Sequence, residues 1–166
     1  LGILFESDAS INFIINETFD RLSSPLRIPS GNPHVTIPVG DYKYRNYSTK
    51  FTTNQRLRIS GNGTYTRGEF YSGHIKTVSG GLNLRPNYHL TMNFTYDRNN
   101  VELANGAFTT NLVGAKFLLG FTPRAFLNAF VQYNAATHQV SSNIRFNLTH
   151  HPLSDLYLVY NDLPDT

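Results

Sequence analysis

The chain of 166 residues contains no cysteine. This absence excludes a disulfide framework, a thiolate metal site and a cysteine nucleophile. Charged residues are scarce as well, at 15% of the sequence against about a quarter in an average soluble protein. The formal net charge of +3 comes from scattered Lys and Arg that form no run, so the charge pattern does not predict a nucleic-acid partner.

Long apolar runs are also missing. No stretch approaches the roughly 18 consecutive apolar residues of a transmembrane helix, and no window of ten residues has a clear helical stripe. What the sequence has instead is alternation of apolar and polar residues, with aromatic residues at 13% and abundant Asn, Thr, Ser and Gly. The length and this pattern predict one all-β domain.

Turn sequences rich in Gly, Pro and Asn separate the alternating stretches, which number about ten. We therefore expect antiparallel strands joined by hairpins in series, in the up-and-down arrangement of a β-barrel. Polar stretches such as "GEFYSG" and "NNVELANG" are interpreted as long loops on one rim, opposite tight turns such as "RPN" and "TPR". On that assignment the last strand ends on the long-loop rim, so we expect these strands to be part of a larger barrel.

The segment 22–41 is the exception to the alternation. It holds four of the eight prolines, and proline removes a backbone donor that a central strand needs. We predict a long, exposed, Pro/Gly-rich loop here, accessible to proteases or to a partner.

The two faces of the alternating stretches differ in an informative way. A soluble sheet carries many charged residues on its outer face, whereas here the second face is mostly Asn, Gln, Ser and Thr. Transmembrane β-barrels have an apolar face toward lipid and a polar face toward the lumen, and their strands need about 9 to 11 residues. We predict that the lipid-facing set includes Phe117, Leu127, Val131, Ile144, Phe146 and Leu158. The predicted interior set includes Lys116, Asn128, Gln132, Asn143 and Arg145.

A soluble barrel of lipocalin type is the alternative, because the apolar face would then line a cavity for an apolar ligand. The two hypotheses place the same residues on the same two faces. They differ in which of the two faces lines the inside of the barrel.

Five short stretches carry a resemblance to a known family: "RPNYHL" at 85–90, "FTTNLVG" at 108–114, "QYN" at 132–134, "SSNIRFN" at 141–147 and "SDLYLVYN" at 154–161. In these the chain resembles the C-terminal outer-membrane β-barrel of a bacterial family of surface proteins that carry an N-terminal family-9-like carbohydrate-binding module. The resemblance implies a membrane anchor in the bacterial outer membrane. No carbohydrate-binding module matches within this chain, so sugar binding is not carried over.

The remaining residues predict no chemistry. The six histidines lack a metal-ligand spacing, the acidic residues lie mainly in turns, and there is no nucleophile motif. We therefore predict a protein that is not an enzyme, with no metal and no cofactor. Its expected partners are the lipid bilayer and other envelope chains that complete or surround the barrel.

Overall fold

The structure is a computed structural model that describes residues 1–28, 35–151 and 154–162. Its main element is one antiparallel sheet of ten strands, and β3 (Leu26–Ile28) and β4 (Val35–Ile37) form a separate two-stranded sheet. Apart from these two, the strands lie across the main sheet in the order of the chain. The strands are β1 (Gly2–Leu4), β2 (Ser10–Leu22), β5 (Gly40–Thr52), β6 (Ile59–Phe70), β7 (Gly73–Leu84), β8 (Leu90–Leu103), β9 (Gly106–Thr122), β10 (Ala125–Asn134), β11 (Gln139–His151) and β12 (Ser154–Asp162). The prediction of an all-β fold with sequential hairpins is confirmed.

The sheet is open in the described part of the chain, where no pairing joins β1 to β12. β1 pairs with β2 only over Gly2–Leu4, so most of β2 has one free edge. The whole of β12 is exposed on both faces. Membership of a larger, closed barrel therefore stays a prediction.

Segment 22–41 is not loop throughout. Its described part contains a two-stranded hairpin of β3 (Leu26–Ile28) and β4 (Val35–Ile37), while residues 29–34 lie outside the described residues. Val35 and Ile37 are each only 1% exposed, which makes them the largest fully buried side chains found. The expectation of an exposed segment thus does not extend to β4, because its two apolar residues are buried and Val35 lies against Gly106 of β9.

The interpretation of two polar stretches as long loops is wrong. β6 and β7 are joined by Tyr71 and Ser72 alone, and β8 and β9 by two residues, 104–105. The Asn-rich stretch that begins at Asn99 is strand, paired with β9 as far as Leu103. Loop length therefore does not separate the two rims, since the opposite rim has connections of six residues (53–58) and five (85–89). The predicted turn at Pro152 lies outside the described residues.

The two faces of the sheet are fixed by the pairing, since residues directly opposite each other point to the same side. We call face 1 the side that carries Tyr47, Tyr65, Tyr96, Tyr133 and Tyr160, and face 2 the other side. The buried residues of the sheet all belong to face 2, namely Tyr44, Ser60, Val101, Gly114 and Asn147. The sheet therefore curves toward face 2 and leaves face 1 outside.

Candidate functional site

The six residues predicted to face lipid lie together on face 1. Direct pairings place Leu127 opposite Phe146 and Phe146 opposite Leu158, and Phe117 joins them through the β9–β10 ladder. Val131 is four residues from Leu127 on β10 and Ile144 is two residues from Phe146 on β11, so both belong to face 1. Leu158 is 59% exposed, so large apolar side chains on this face have no covering layer in the described structure.

The five residues predicted to lie inside share face 2. Asn128 is paired with Arg145, Phe130 with Lys116 and Gln132 with a serine of β11, and Asn143 lies two residues from Arg145. Asn128, Gln132 and Asn143 are half-buried, while Lys116 and Arg145 are exposed toward the open side of the sheet. The sequence therefore separates the two sets correctly by face. Their contact with lipid or with a lumen stays a prediction.

Face 1 changes character along the strands. On one side of the five tyrosines it carries an apolar band, with aromatic contacts such as Phe94 to Phe117 at 5.8 Å between ring centroids. The band includes Phe51, Ile59, Leu82, Leu84, Leu90, Met92, Val113, Leu119, Leu127, Phe146, Leu148 and Leu156. We call the five tyrosines the tyrosine belt and the part of the sheet beyond them the cap.

Immediately beyond the belt, four neighbouring strands each place a cation on face 1. Arg45 comes two residues from Tyr47 on β5, Arg67 two from Tyr65 on β6, and Arg98 two from Tyr96 on β8; Lys76 completes the row on β7, directly opposite Arg67. The cap continues outward with further polar residues on the same face, namely Lys43, Glu69, His74, Asn100 and Glu102.

Face 2 changes in the opposite sense. In the band it carries polar residues such as Asn62, Ser79 and Thr95, with Ser79 opposite Thr64 and Asp97. In the cap it carries apolar and aromatic residues: Tyr44, Phe70, Ile75, Val101, Leu103 and Phe108. In each of the strands β5 to β9 the apolar residues thus change from face 1 to face 2 near the belt.

The β3–β4 hairpin covers the apolar inner side of the cap. The Cγ2 atom of Val35 lies 3.1 Å from the place where a Cβ at Gly106 would stand, so a larger residue at Gly106 would press on the hairpin. Gly106 also has a φ of +147°, which disfavours other residues there. Val101, on face 2 beside it, is 2% exposed. A small apolar core therefore lies between the cap and the hairpin.

An aromatic cluster closes one side of this core. Tyr71 contacts the rings of Tyr42, Tyr44 and Phe70 at centroid distances of 5.1, 5.4 and 4.8 Å, and its hydroxyl donates to Asp20 Oδ2 at 2.6 Å. This hydrogen bond to a carboxylate, together with burial, raises the pKa of Tyr71. Tyr71 holds a left-handed φ of 49° in the two-residue turn, a conformation that is uncommon for residues other than glycine.

On the outer side of the cap a groove of about 980 Å³ runs across β5 to β8. Its lining includes three residues of the cation row, Arg45, Arg67 and Lys76, while Arg98 lies outside it. Residues beyond the row complete the lining, among them Lys43, Glu69, His74 and Glu102. The one ion pair within it joins Arg45 to Glu17, and this contact lowers the pKa of Glu17 below its usual range. The groove is open, and most of its lining side chains are charged.

The tyrosines of the belt are not directly paired with one another. Levels on different strands can be compared by following the paired residues across the sheet. On this scale Tyr133 is displaced from Tyr47 by four residues toward the band, and Tyr160 is displaced from Tyr133 by four more in the same direction. The belt thus descends eight residues over the seven strand-to-strand steps from β5 to β12. At about 3.4 Å per residue and 4.8 Å per strand, this slope corresponds to strands tilted by about 40° from the normal to the belt.

No group of three or more His, Asp and Glu in the described ranges is arranged to hold a metal ion. Among the residues that the structure describes, no helix is long and apolar enough to cross a membrane. No family model, curated protein or solved structure matches the chain.

The cap and its cation row are not predicted from the alternation pattern. The signal was present, because the apolar positions of β8 are even-numbered from Leu90 to Tyr96 and odd-numbered at Val101 and Leu103. Such a change of phase was hidden by the polar residues between, which are typical of a loop by composition.

Proposed function

We propose that the chain is an integral outer-membrane β-barrel module that anchors an exported domain or scaffolds an envelope assembly, without enzymatic activity. The observation that carries this proposal is the reversal of both faces at the tyrosine belt. A strand that leaves lipid for water exchanges an apolar outer environment for a polar one, so its outer residues change from apolar to charged at the interface. Tyrosine prefers that interface because it has an apolar ring and a polar hydroxyl.

The dimensions agree with the proposal. A tilt of about 40° lies within the 35–45° of transmembrane β-barrels. On β9 the apolar residues of face 1 run from Val113 to Phe121, and eight residue steps at this tilt span roughly 21 Å along the membrane normal. The apolar outer band of known barrels is about 25 Å tall.

The exposed area supports the same proposal. The chain exposes 11444 Å², whereas a compact globular monomer of 18.7 kDa exposes about 8300 Å². The fully buried apolar residues of the described chain, such as Val35 and Val101, lie at the cap and not under the band. Lipid on face 1 would supply the apolar contacts that the band lacks.

The lipocalin alternative requires the apolar face to line the inside. The buried residues of the sheet lie on face 2, and two of them, Ser60 and Asn147, are polar. This curvature favours the membrane proposal over an apolar ligand cavity.

The proposal is tested with neighbouring single-cysteine variants, which give one label each because the chain has no cysteine. Val131→Cys and Gln132→Cys are labelled with an environment-sensitive dye after folding into phosphatidylcholine vesicles that contain brominated lipid. We expect quenching at position 131 and none at position 132. Quenching at 132 alone would reverse the faces, and a chain that stays in the aqueous phase without folding into vesicles contradicts the membrane proposal.

A further inference from the structure

The cation row has an arrangement that is unfavourable by itself. Arg67 and Lys76 are directly opposite on adjacent strands, where Cβ atoms lie about 4.5–5.5 Å apart. Like charges in such a pair destabilise a sheet. Arg98 is the next cation along the row, because its partner Val78 is two residues from Lys76. Three positive charges therefore meet on one patch of face 1.

These three cations have no acidic partner among the described residues. The ion pairs found there join Arg21 to Asp41 and Arg45 to Glu17, and neither includes the three. Lys76 contacts the ring of Tyr65 at 5.9 Å, which directs its ammonium group toward the belt. Acidic residues of the groove, such as Glu69 and Glu102, lie farther from the apolar band than the cations do. The side of the groove next to the band is therefore electropositive.

The distance of the three cations from the apolar band indicates which ligand they would bind. Arg67 and Arg98 each lie two residues beyond a tyrosine of the belt, which places them about 5 Å farther from the band along the normal at the observed tilt. In a bilayer this is the level of the headgroup phosphates, since interfacial tyrosines mark the boundary of the hydrocarbon. An anion shared by the three cations would remove their mutual repulsion.

We propose that Arg67, Lys76 and Arg98 form a binding site for the phosphate of an anionic lipid headgroup, whose acyl chains lie along the apolar band. The guanidinium groups bind the phosphate oxygens through paired N–H donors, and Lys76 adds a compact charge between them. The site rests on the proposed membrane function, because only in a bilayer does the phosphate stand at this level. A groove of about 980 Å³ gives room for a headgroup beside the phosphate.

The test compares three proteins folded into detergent micelles and titrated with phosphatidylglycerol, the bound lipid being counted by native mass spectrometry. The test variant is R67Q/K76Q. The control R56Q/R124Q removes two exposed cations from the turns at the opposite rim and changes the net charge equally. At about 1 kcal/mol per cation near an anionic surface, we expect an affinity about 30-fold lower for R67Q/K76Q and nearly unchanged for the control.

Additional variants and ligands distinguish a specific lipid site from a general charge effect and from a site for free phosphate. R67K/K76R, which keeps the charges, should retain the lipid, and phosphatidylcholine should not bind specifically to any variant. Equal losses in R67Q/K76Q and the control, or no loss in either, would overturn the proposal. Inorganic phosphate at equal concentration should not displace the lipid; if it does, the site is a phosphate site and the lipid proposal is wrong.

Failure of the site and failure of the membrane function give different results. Folding into neutral phosphatidylcholine vesicles, measured on the same preparations, does not need the cation row. A chain that folds there but shows no preference for phosphatidylglycerol contradicts the lipid site alone. A chain that folds into no vesicle contradicts both proposals.

Discussion

The band and the cap are built from the same strands and have opposite constructions. In the band, face 1 is apolar and exposed and face 2 is polar, whereas in the cap face 1 is charged and face 2 packs under the β3–β4 hairpin. The cap is therefore constructed like a soluble protein, with its apolar residues inside. In strands β5 to β9 the apolar residues therefore lie on opposite faces in the two parts, and the change of face falls near the belt.

The largest expected effect comes from placing a charge in the middle of the band. Met92→Arg puts a guanidinium on face 1 between Leu84 and Phe117, four residues from Tyr96 of the belt. At a bilayer midplane this costs about 2–4 kcal/mol, so the folded fraction in vesicles should fall sharply in a urea titration. Ala107→Arg is the control, because position 107 is exposed on the same face in the cap of the neighbouring strand β9, directly opposite Glu102. It should have little effect. Equal stability of the two variants would mean that the band does not contact lipid.

The second-largest effect is expected from a substitution that destabilises the cap and leaves the band unchanged. Ile37→Ala removes a side chain that is 1% exposed, and such changes cost about 2–5 kcal/mol where the site cannot collapse. We expect the low end, because the core is small. The readout is hydrogen exchange, with faster exchange confined to the cap ends of β5 to β9.

Leu26→Ala is the matched control for Ile37→Ala, since Leu26 is directly opposite Ile37 but 40% exposed. It should raise exchange in the cap much less. A uniform loss of protection along the whole of β8 in the Ile37 variant would contradict an independent cap.

A smaller effect comes from the hydrogen bond between Tyr71 and Asp20. Tyr71→Phe removes a bond of 2.6 Å to a carboxylate and should cost about 1.5–3 kcal/mol at most, and less here because the pair is only partly buried. Since the folded-state pKa of Tyr71 is raised, its contribution is complete below its unfolded pKa of about 10 and is lost at higher pH as the hydroxyl ionises. Thermal unfolding between pH 8 and 12 should therefore converge for the wild type and Tyr71→Phe. Parallel curves would contradict this role.

The smallest effect concerns the exposed pair of Glu17 and Arg45. The lowered pKa of Glu17 means that the pair stabilises the fold above the unfolded pKa of Glu17 and that this stabilisation disappears as the pH falls. Glu17→Gln should shift the thermal midpoint only slightly, since solvent screens the pair. The difference from the wild type should vanish in 1 M salt. A shift as large as that of Ile37→Ala would place the pair among the main stabilising contacts of the cap.

Much of the fold could be predicted because successive side chains of a β-strand point to opposite faces of the sheet, so alternation of apolar and polar residues assigns each residue to a face. Phe117, Leu127 and Ile144 were separated from Lys116, Asn128 and Arg145 by parity alone, and the pairing confirms the shared faces. The stretch from Asn99 to Leu103 was not predicted as strand, because Asn and Glu are common in loops. Its pairing with β9 depends on backbone hydrogen bonds and on the covered Val101, which composition does not reveal.

The alternation of residue types is enough to predict the all-β class, the number of strands in the sheet and the division of residues between two faces, because side chains alternate along any β-strand. The tertiary structure is needed to locate the belt, since the level of a tyrosine depends on the register and tilt of all neighbouring strands. It also decided that segment 22–41 contributes Val35 and Ile37 to the cap core, because that contact joins residues far apart in the chain. The cation row belongs to the tertiary structure for the same reason, as Arg67, Lys76 and Arg98 meet only across three paired strands.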